Sequence, residues 1–234
     1  QLFTFTPSWD DPFELMDGES ETSGWLVPGT YSVSETVPEG WDLSTATCDD
    51  GSLASAIGLA AGETVTCTFT NTQRGKIIVE KVTDPTGSSQ LFTFTPSWDD
   101  PFELMDGESE TSDWLVPGTY SVSETVPEGW DLTDVTCDDG SLASAIDLAA
   151  GETVTCTFTN TQRGKIIVEK VTDPTGSTQL FTFTPSWDDP FELMDGESET
   201  SDWLVPGTYS VSETVPEGWD LTDVTCDDGS LASA

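Results

Sequence analysis

Histidine is absent from the 234-residue chain and basic residues are scarce, with 6 Lys and Arg against 44 Asp and Glu. The formal net charge of -38 gives a surface that repels nucleic acid and anionic membranes, attracts divalent cations and favours solubility. No run of about 18 apolar residues occurs, so no segment reads as a transmembrane helix. Secretion, sortase-type anchoring and lipidation signals are also missing. Their absence is uninformative, because the chain starts and stops inside a repeat. Without histidine, a phosphate-binding loop or metal-ligand spacing, the sequence speaks against an enzyme acting on an outside substrate. Disorder is argued against too, by 35% hydrophobic residues and 9 Trp.

What the chain does have is self-similarity. The stretch beginning QLFTFTPSWDDPFELMDGESETS starts at Gln1, Gln90 and Gln179, a period of 89 residues. That period is too long for a solenoid unit and suits a small self-contained domain. Copies differ at few positions: Gly24 becomes Asp113 and Asp202, Ala46 becomes Val135 and Val224, and Gly58 becomes Asp147. Near-identical neighbours suit a spacer that gains length by duplication. Every basic residue falls in Gln73–Lys81 or Gln162–Lys170, and boundaries are expected near Arg74/Gly75 and Arg163/Gly164. The expected units are 1–74, lacking a first strand, 75–163, complete, and 164–234, lacking a last strand. No Pro/Ser-rich linker separates them, so the joints should be close and only modestly flexible.

Within the complete copy, short alternating segments read as strands: KIIVEKVT, QLFTFT, FELM, WLVP, TYSVSET, WDLTDVTC and TVTCTFTN. Turn signals at Asp84–Gly87, Pro117-Gly118 and Asp138–Gly140 separate them, which is the pattern of an all-β sandwich. The alanine-rich Ser141–Ala150 could hold a single helical turn. Period-two alternation puts Ile77, Val79 and Lys81 on one face, Tyr120, Val122 and Glu124 on another, and Val154, Cys156, Phe158 and Asn160 on a third. Each series runs from apolar to polar, so Lys81, Glu124 and Asn160 are expected as buried companions unless the strand ends bend outward.

These residues also carry a family resemblance. LVPGTYSVSETVPEGW (Leu115–Trp130) resembles the E-box region of prealbumin-like, collagen-adhesin B-type domains of bacterial surface proteins and pilins. The Lys-bearing IIVEKVT and the closing CTFTNT agree with it, and the likeness covers the whole repeat. It implies tandem transthyretin-like (Ig-like) β-sandwiches, beads on a string, with a role in stalks, pili or fibres. It further implies an intramolecular isopeptide bond from a first-strand Lys to a last-strand Asn, assisted by the E-box acid. The set is Lys81, Glu124 and Asn160 in the complete unit, Lys170 and Glu213 in the third copy, and Glu35 and Asn71 in the first. Burial lowers a lysine pKa and raises a glutamate pKa, so a neutral amine nucleophile and a proton-relaying acid are chemically reasonable. The alternative is a hydrogen-bonded buried polar cluster without a bond.

Five cysteines follow the repeat: Cys48 with Cys67, Cys137 with Cys156, and Cys226, whose partner position lies outside the chain. Disulfides joining the sixth and last strands are the simple reading, against reduced buried thiols, and they suit an oxidising compartment. Each would add roughly 3 kcal/mol in the chain-entropy model. The acids Asp99, Asp100, Glu103, Asp106, Glu108, Asp138 and Asp139 are hard-oxygen groups suited to calcium, but they match no spaced calcium loop, so a solvated surface is the alternative. No other cofactor is called for. Trp98, Trp114 and Trp130 recur in each copy, either exposed as binding platforms or packed; packing is expected for Trp130.

The sequence thus points to a structural module of an extracellular or cell-surface filament, whose partners are further copies of the same repeat. The alternative is an adhesive module binding carbohydrate, protein or calcium through loops rich in Trp and acids. The Lys-bearing first strand could complete its own sandwich or, by exchange, the preceding one.

Overall fold

The computed structural model describes residues 1–230, all of them in strands, turns and loops with no helix. Every strand pairing falls inside 1–74, 75–163 or 164–230. In the central set, one sheet orders Phe102–Leu104, Phe92–Pro96 and Val122–Thr125. The facing sheet orders Ser109–Thr111, Lys76–Asp84, Thr153–Gln162 and Trp130–Cys137. Gly118–Tyr120 pairs with Ile146–Leu148 as a two-stranded ribbon.

The decisive pairing is parallel. Lys76–Asp84 runs beside Thr153–Gln162 with Ile77 opposite Val154, Val79 opposite Cys156 and Lys81 opposite Phe158. Both strands bury every second side chain, so the pairing brings their apolar faces to the same side of the sheet. Ile77, Val79, Val154, Cys156, Phe92, Phe94 and Phe158 are each at most 2% exposed and form one core. Full burial of each such side chain stabilises the unit by about 1.5–3 kcal/mol. The matched first-copy residues Phe3 and Phe5, with no Lys-bearing strand beside their last strand, remain 8% and 7% exposed.

One open alternative is decided and three local expectations are corrected. The first strand is not exchanged: Lys76–Asp84 pairs with Ser109–Thr111 and Thr153–Gln162 of its own copy, and Ile167–Glu169 likewise with Ser198–Thr200. The alanine-rich stretch forms no helical turn. It closes a tight turn at Leu142–Ala145 and continues as Ile146–Leu148, because Ile146 and Leu148 alternate into the core at 0% and 1% exposure. The WLVP segment contributes a single bridge, Leu115 to Gly75, while the strand beside Lys76–Asp84 is Ser109–Thr111. The TYSVSET segment also breaks at Ser121, where Ser97 Oγ accepts a hydrogen bond from the Ser121 amide.

Candidate functional site

In the parallel pair, Lys81 lies opposite Phe158, so Asn160 is its diagonal neighbour on the same face. Glu124 comes from the facing sheet, where it pairs with Phe94. The three side chains therefore meet in the core between the sheets. Lys81 Nζ donates to Asn160 Oδ1 at 2.6 Å, to Val82 O at 2.8 Å and to Phe158 O at 3.2 Å. It lies 3.5 Å from Glu124 Oε1 and 4.2 Å from the Phe92 ring centroid. The side chains of Lys81 and Glu124 are both 0% exposed.

Burial sets their protonation. Desolvation pulls the Lys81 amine below its usual range, opposed by the nearby Glu124 charge. Desolvation likewise pushes the Glu124 carboxyl up, with Asn160 and Lys81 acting in the opposite sense. Neither Glu124 oxygen nor Asn160 Nδ2 has a hydrogen-bond partner. Most buried polar groups in folded proteins are hydrogen-bonded, so these three unpaired atoms single out the cluster as a candidate site.

The outer copies show the same cluster in halves. Asn71 Nδ2 donates to Glu35 Oε2 at 3.0 Å in the first, and Lys170 Nζ donates to Glu213 Oε1 at 2.9 Å in the third. Among the described residues, only the central copy brings amine, acid and amide together.

A profile for the prealbumin-like fold domain matches residues 16–73 and again 77–162, and a second profile of the same description matches 164–234. The chain belongs to the prealbumin-like fold domain family. No curated protein matches it. Among solved structures it is similar to the Bacillus anthracis TIE protein, at 15% identity and TM-score 0.34 over 95% of this chain and 54% of that one. The chain thus spans about half the length of that relative. It is also similar to the major pilin protein (T-13) from Streptococcus pyogenes, at 15% identity and TM-score 0.31 over 69% of this chain and 88% of that one. The streptococcal ancillary pilin gives 14%, 0.33, 92% and 78% for the same quantities.

Around this prealbumin-like core the other singled-out residues take separate places. Cys48–Cys67 and Cys137–Cys156 are disulfide-bonded between directly paired residues of neighbouring strands, and Cys226 is free and exposed. Trp130 is 7% exposed and meets Phe92 edge to face, while Trp98 meets Tyr120 in the same manner.

Several of the acidic side chains cap turns and loops. Asp106 accepts from the amides of Thr83 and Gly87, both at 2.6 Å, and the Gly87 and Thr83 donors hold its carboxyl below the usual range. Asp138 accepts from the Thr155 amide, Asp139 from Ser141, and Asp99 from the Asp100 amide. Glu108 accepts from the Met105 amide, and Glu103 only a long contact from Thr93. Among the described residues no three of His, Cys, Asp or Glu converge as a metal-binding group, and no helix is long and apolar enough to cross a membrane.

Sequence reasoning missed the arginines. Arg74 and Arg163 make two-pronged contacts with Asp42 and Asp131, at 2.7 and 2.8 Å in the first pair and 2.5 and 2.8 Å in the second. The available signal was that so few cations in so acidic a chain must each be placed.

Proposed function

We propose that the chain is a structural tandem-repeat segment of an extracellular filament, pilus or surface stalk, with residues 75–163 as the complete folding unit. Its staples are the disulfides and, in the central unit, an isopeptide bond between Lys81 and Asn160. The supporting observation is the fully buried contact of Lys81 Nζ with both Asn160 and Glu124.

The chemistry balances within the cluster. A neutral Lys81 amine adds to the Asn160 side-chain carbonyl carbon while the protonated Glu124 carboxyl donates to the carbonyl oxygen. Glu124 then carries the proton lost by the amine to the departing nitrogen. The carbon–nitrogen bond to Asn160 Nδ2 breaks, one ammonia leaves, and Glu124 ends as it began. Burial moves both groups in the direction of this neutral pair, lowering the lysine pKa and raising the glutamate pKa.

A bond at that position joins the first strand to the last, so tension entering at Lys81 leaves at Asn160 without loading the 79-residue separation between them. Single-molecule pulling of the whole chain under reducing conditions, with the Cys137–Cys156 disulfide opened, tests this. The expected trace lacks the extension of that segment, whereas Lys81→Gln restores it. Full extension in the parent chain contradicts the reading.

A further inference from the structure

The residues connecting successive copies are few and fully engaged. The Cys67–Gln73 strand is followed by Arg74 and Gly75, and the next strand begins at Lys76. The Arg74 amide donates to Gly40 O in the first copy at 2.8 Å. The Gly75 amide donates to Leu115 O in the second copy at 2.8 Å, and the Leu115 amide returns a bond to Gly75 O at 2.9 Å. Adjacent residues are thus fastened to different copies. The second joint repeats this, with the Arg163 amide on Gly129 O and the Gly164 amide on Leu204 O, each at 2.8 Å.

A tryptophan closes each joint. The Trp114 ring lies against the Pro38-Glu39-Gly40 turn so closely that a Cβ on Gly40 would sit 3.1 Å from it. Gly40 also has a φ of +80°, so glycine is required there twice over. Lys76 Nζ stands over the same ring, 4.6 Å from its centroid. At the second joint a Cβ on Gly129, φ +81°, would lie 3.0 Å from the Trp203 ring. Lys165 Nζ is 4.6 Å from that ring, and Trp203 Nε1 donates to Glu128 Oε1 at 3.2 Å.

The unjoined counterparts provide the control. Trp25 occupies the position of Trp114 and Trp203, meets no Pro-Glu-Gly turn among the described residues, and is fully exposed. Gly218 occupies the position of Gly40 and Gly129, has no ring over it, and is exposed, whereas Gly40 and Gly129 are buried. Among the described residues, the same tryptophan and glycine are covered where two copies meet and bare where they do not.

We propose that this tryptophan and the Pro-Glu-Gly turn are the two halves of a docking surface by which one copy of the domain receives the next, and that the docked joint shields the chain's cleavable basic residues. The surface fits a second copy of this domain and no other partner is needed to fill it. The proposal deepens the stalk reading and rests on it for its purpose, since a closed joint stiffens an array.

All six Lys and Arg residues lie at or just after the joints, so trypsin can cut nowhere else. Limited trypsin digestion of the full chain, followed by mass spectrometry, therefore reads joint opening directly. Trp114→Ala should speed cleavage after Arg74 and Lys76 by about tenfold or more, because the open joint gains population when a large, half-buried ring is lost from it. Its melting temperature should stay unchanged. Trp25→Ala should alter neither quantity. Equal cleavage rates for Trp114→Ala and the parent overturn the proposal. A fall in melting temperature also overturns it, since Trp114 would then be holding its own unit together. A pulling trace showing no bond at Lys81 would refute the staple while leaving this digestion result intact.

Discussion

Replacing Gly75 by alanine should destabilise the central unit, whereas the matched replacement at Gly164 should not. A Cβ at Gly75 would lie 2.6 Å from Glu152 O and 2.9 Å from Leu148 Cγ and Cδ1. The obstacle includes backbone, and that backbone is held, since Glu152 O accepts from the Lys76 amide at 2.9 Å. Leu148 is 1% exposed and has no room to swing aside. Overpacking of this kind costs about 2 kcal/mol, which lowers the melting temperature of a domain this size by about 8–16 °C. At Gly164 nothing lies within 4 Å and φ is not in the left-handed range, so alanine fits. There the smaller conformational freedom of the unfolded chain should leave stability equal or raised by about 0.4–1 kcal/mol. Calorimetry of the full chain gives the melting temperatures, and hydrogen exchange of Phe92–Pro96 assigns the loss to the central unit. Equal effects at both glycines, or no effect at Gly75, would refute the steric argument.

Further outcomes follow from the same geometry. Cys137→Ser with Cys156→Ser should lower central-unit stability by about 3 kcal/mol in urea titration, with no change at Cys48–Cys67. Phe94→Ala, at 0% exposure and packed on Phe102 and Phe158, should cost about 3–5 kcal/mol in the same titration. Because the Asp106 pKa is depressed in the folded state, its stabilisation is present above its ordinary value of 3.8 and is lost as pH falls through the lowered value. Asp106→Asn should flatten that acid limb, measured as stability against pH; an unchanged limb would contradict the capping role.

Much of this architecture was legible in the sequence, and the reason is periodicity. Alternation in KIIVEK and TVTCTFTN placed Lys81 and Asn160 on buried faces, and the structure sets them two positions apart across a parallel pair. The parallel pairing itself has no signature in either strand, since it depends on what lies between the two sheets. Ser109–Thr111 was hidden because each of its residues is exposed, which leaves no apolar alternation to read. The helical turn considered for Ser141–Ala150 rested on alanine content, which tertiary burial of Ile146 and Leu148 outweighed. The role of Trp114 was invisible for a different reason. Its partner Gly40 lies in the preceding copy, and no local pattern specifies a contact between units.

The most direct test of the account is the intact mass of the whole chain after reduction and denaturation. A single Lys81–Asn160 bond predicts a mass lower than that of the sequence by one ammonia, and by one only, because neither outer copy contains all three groups. Glu124→Ala should return the mass to the sequence value. A parent chain whose reduced mass equals that of its sequence would contradict the crosslink and leave the disulfides as the staples of the folded units.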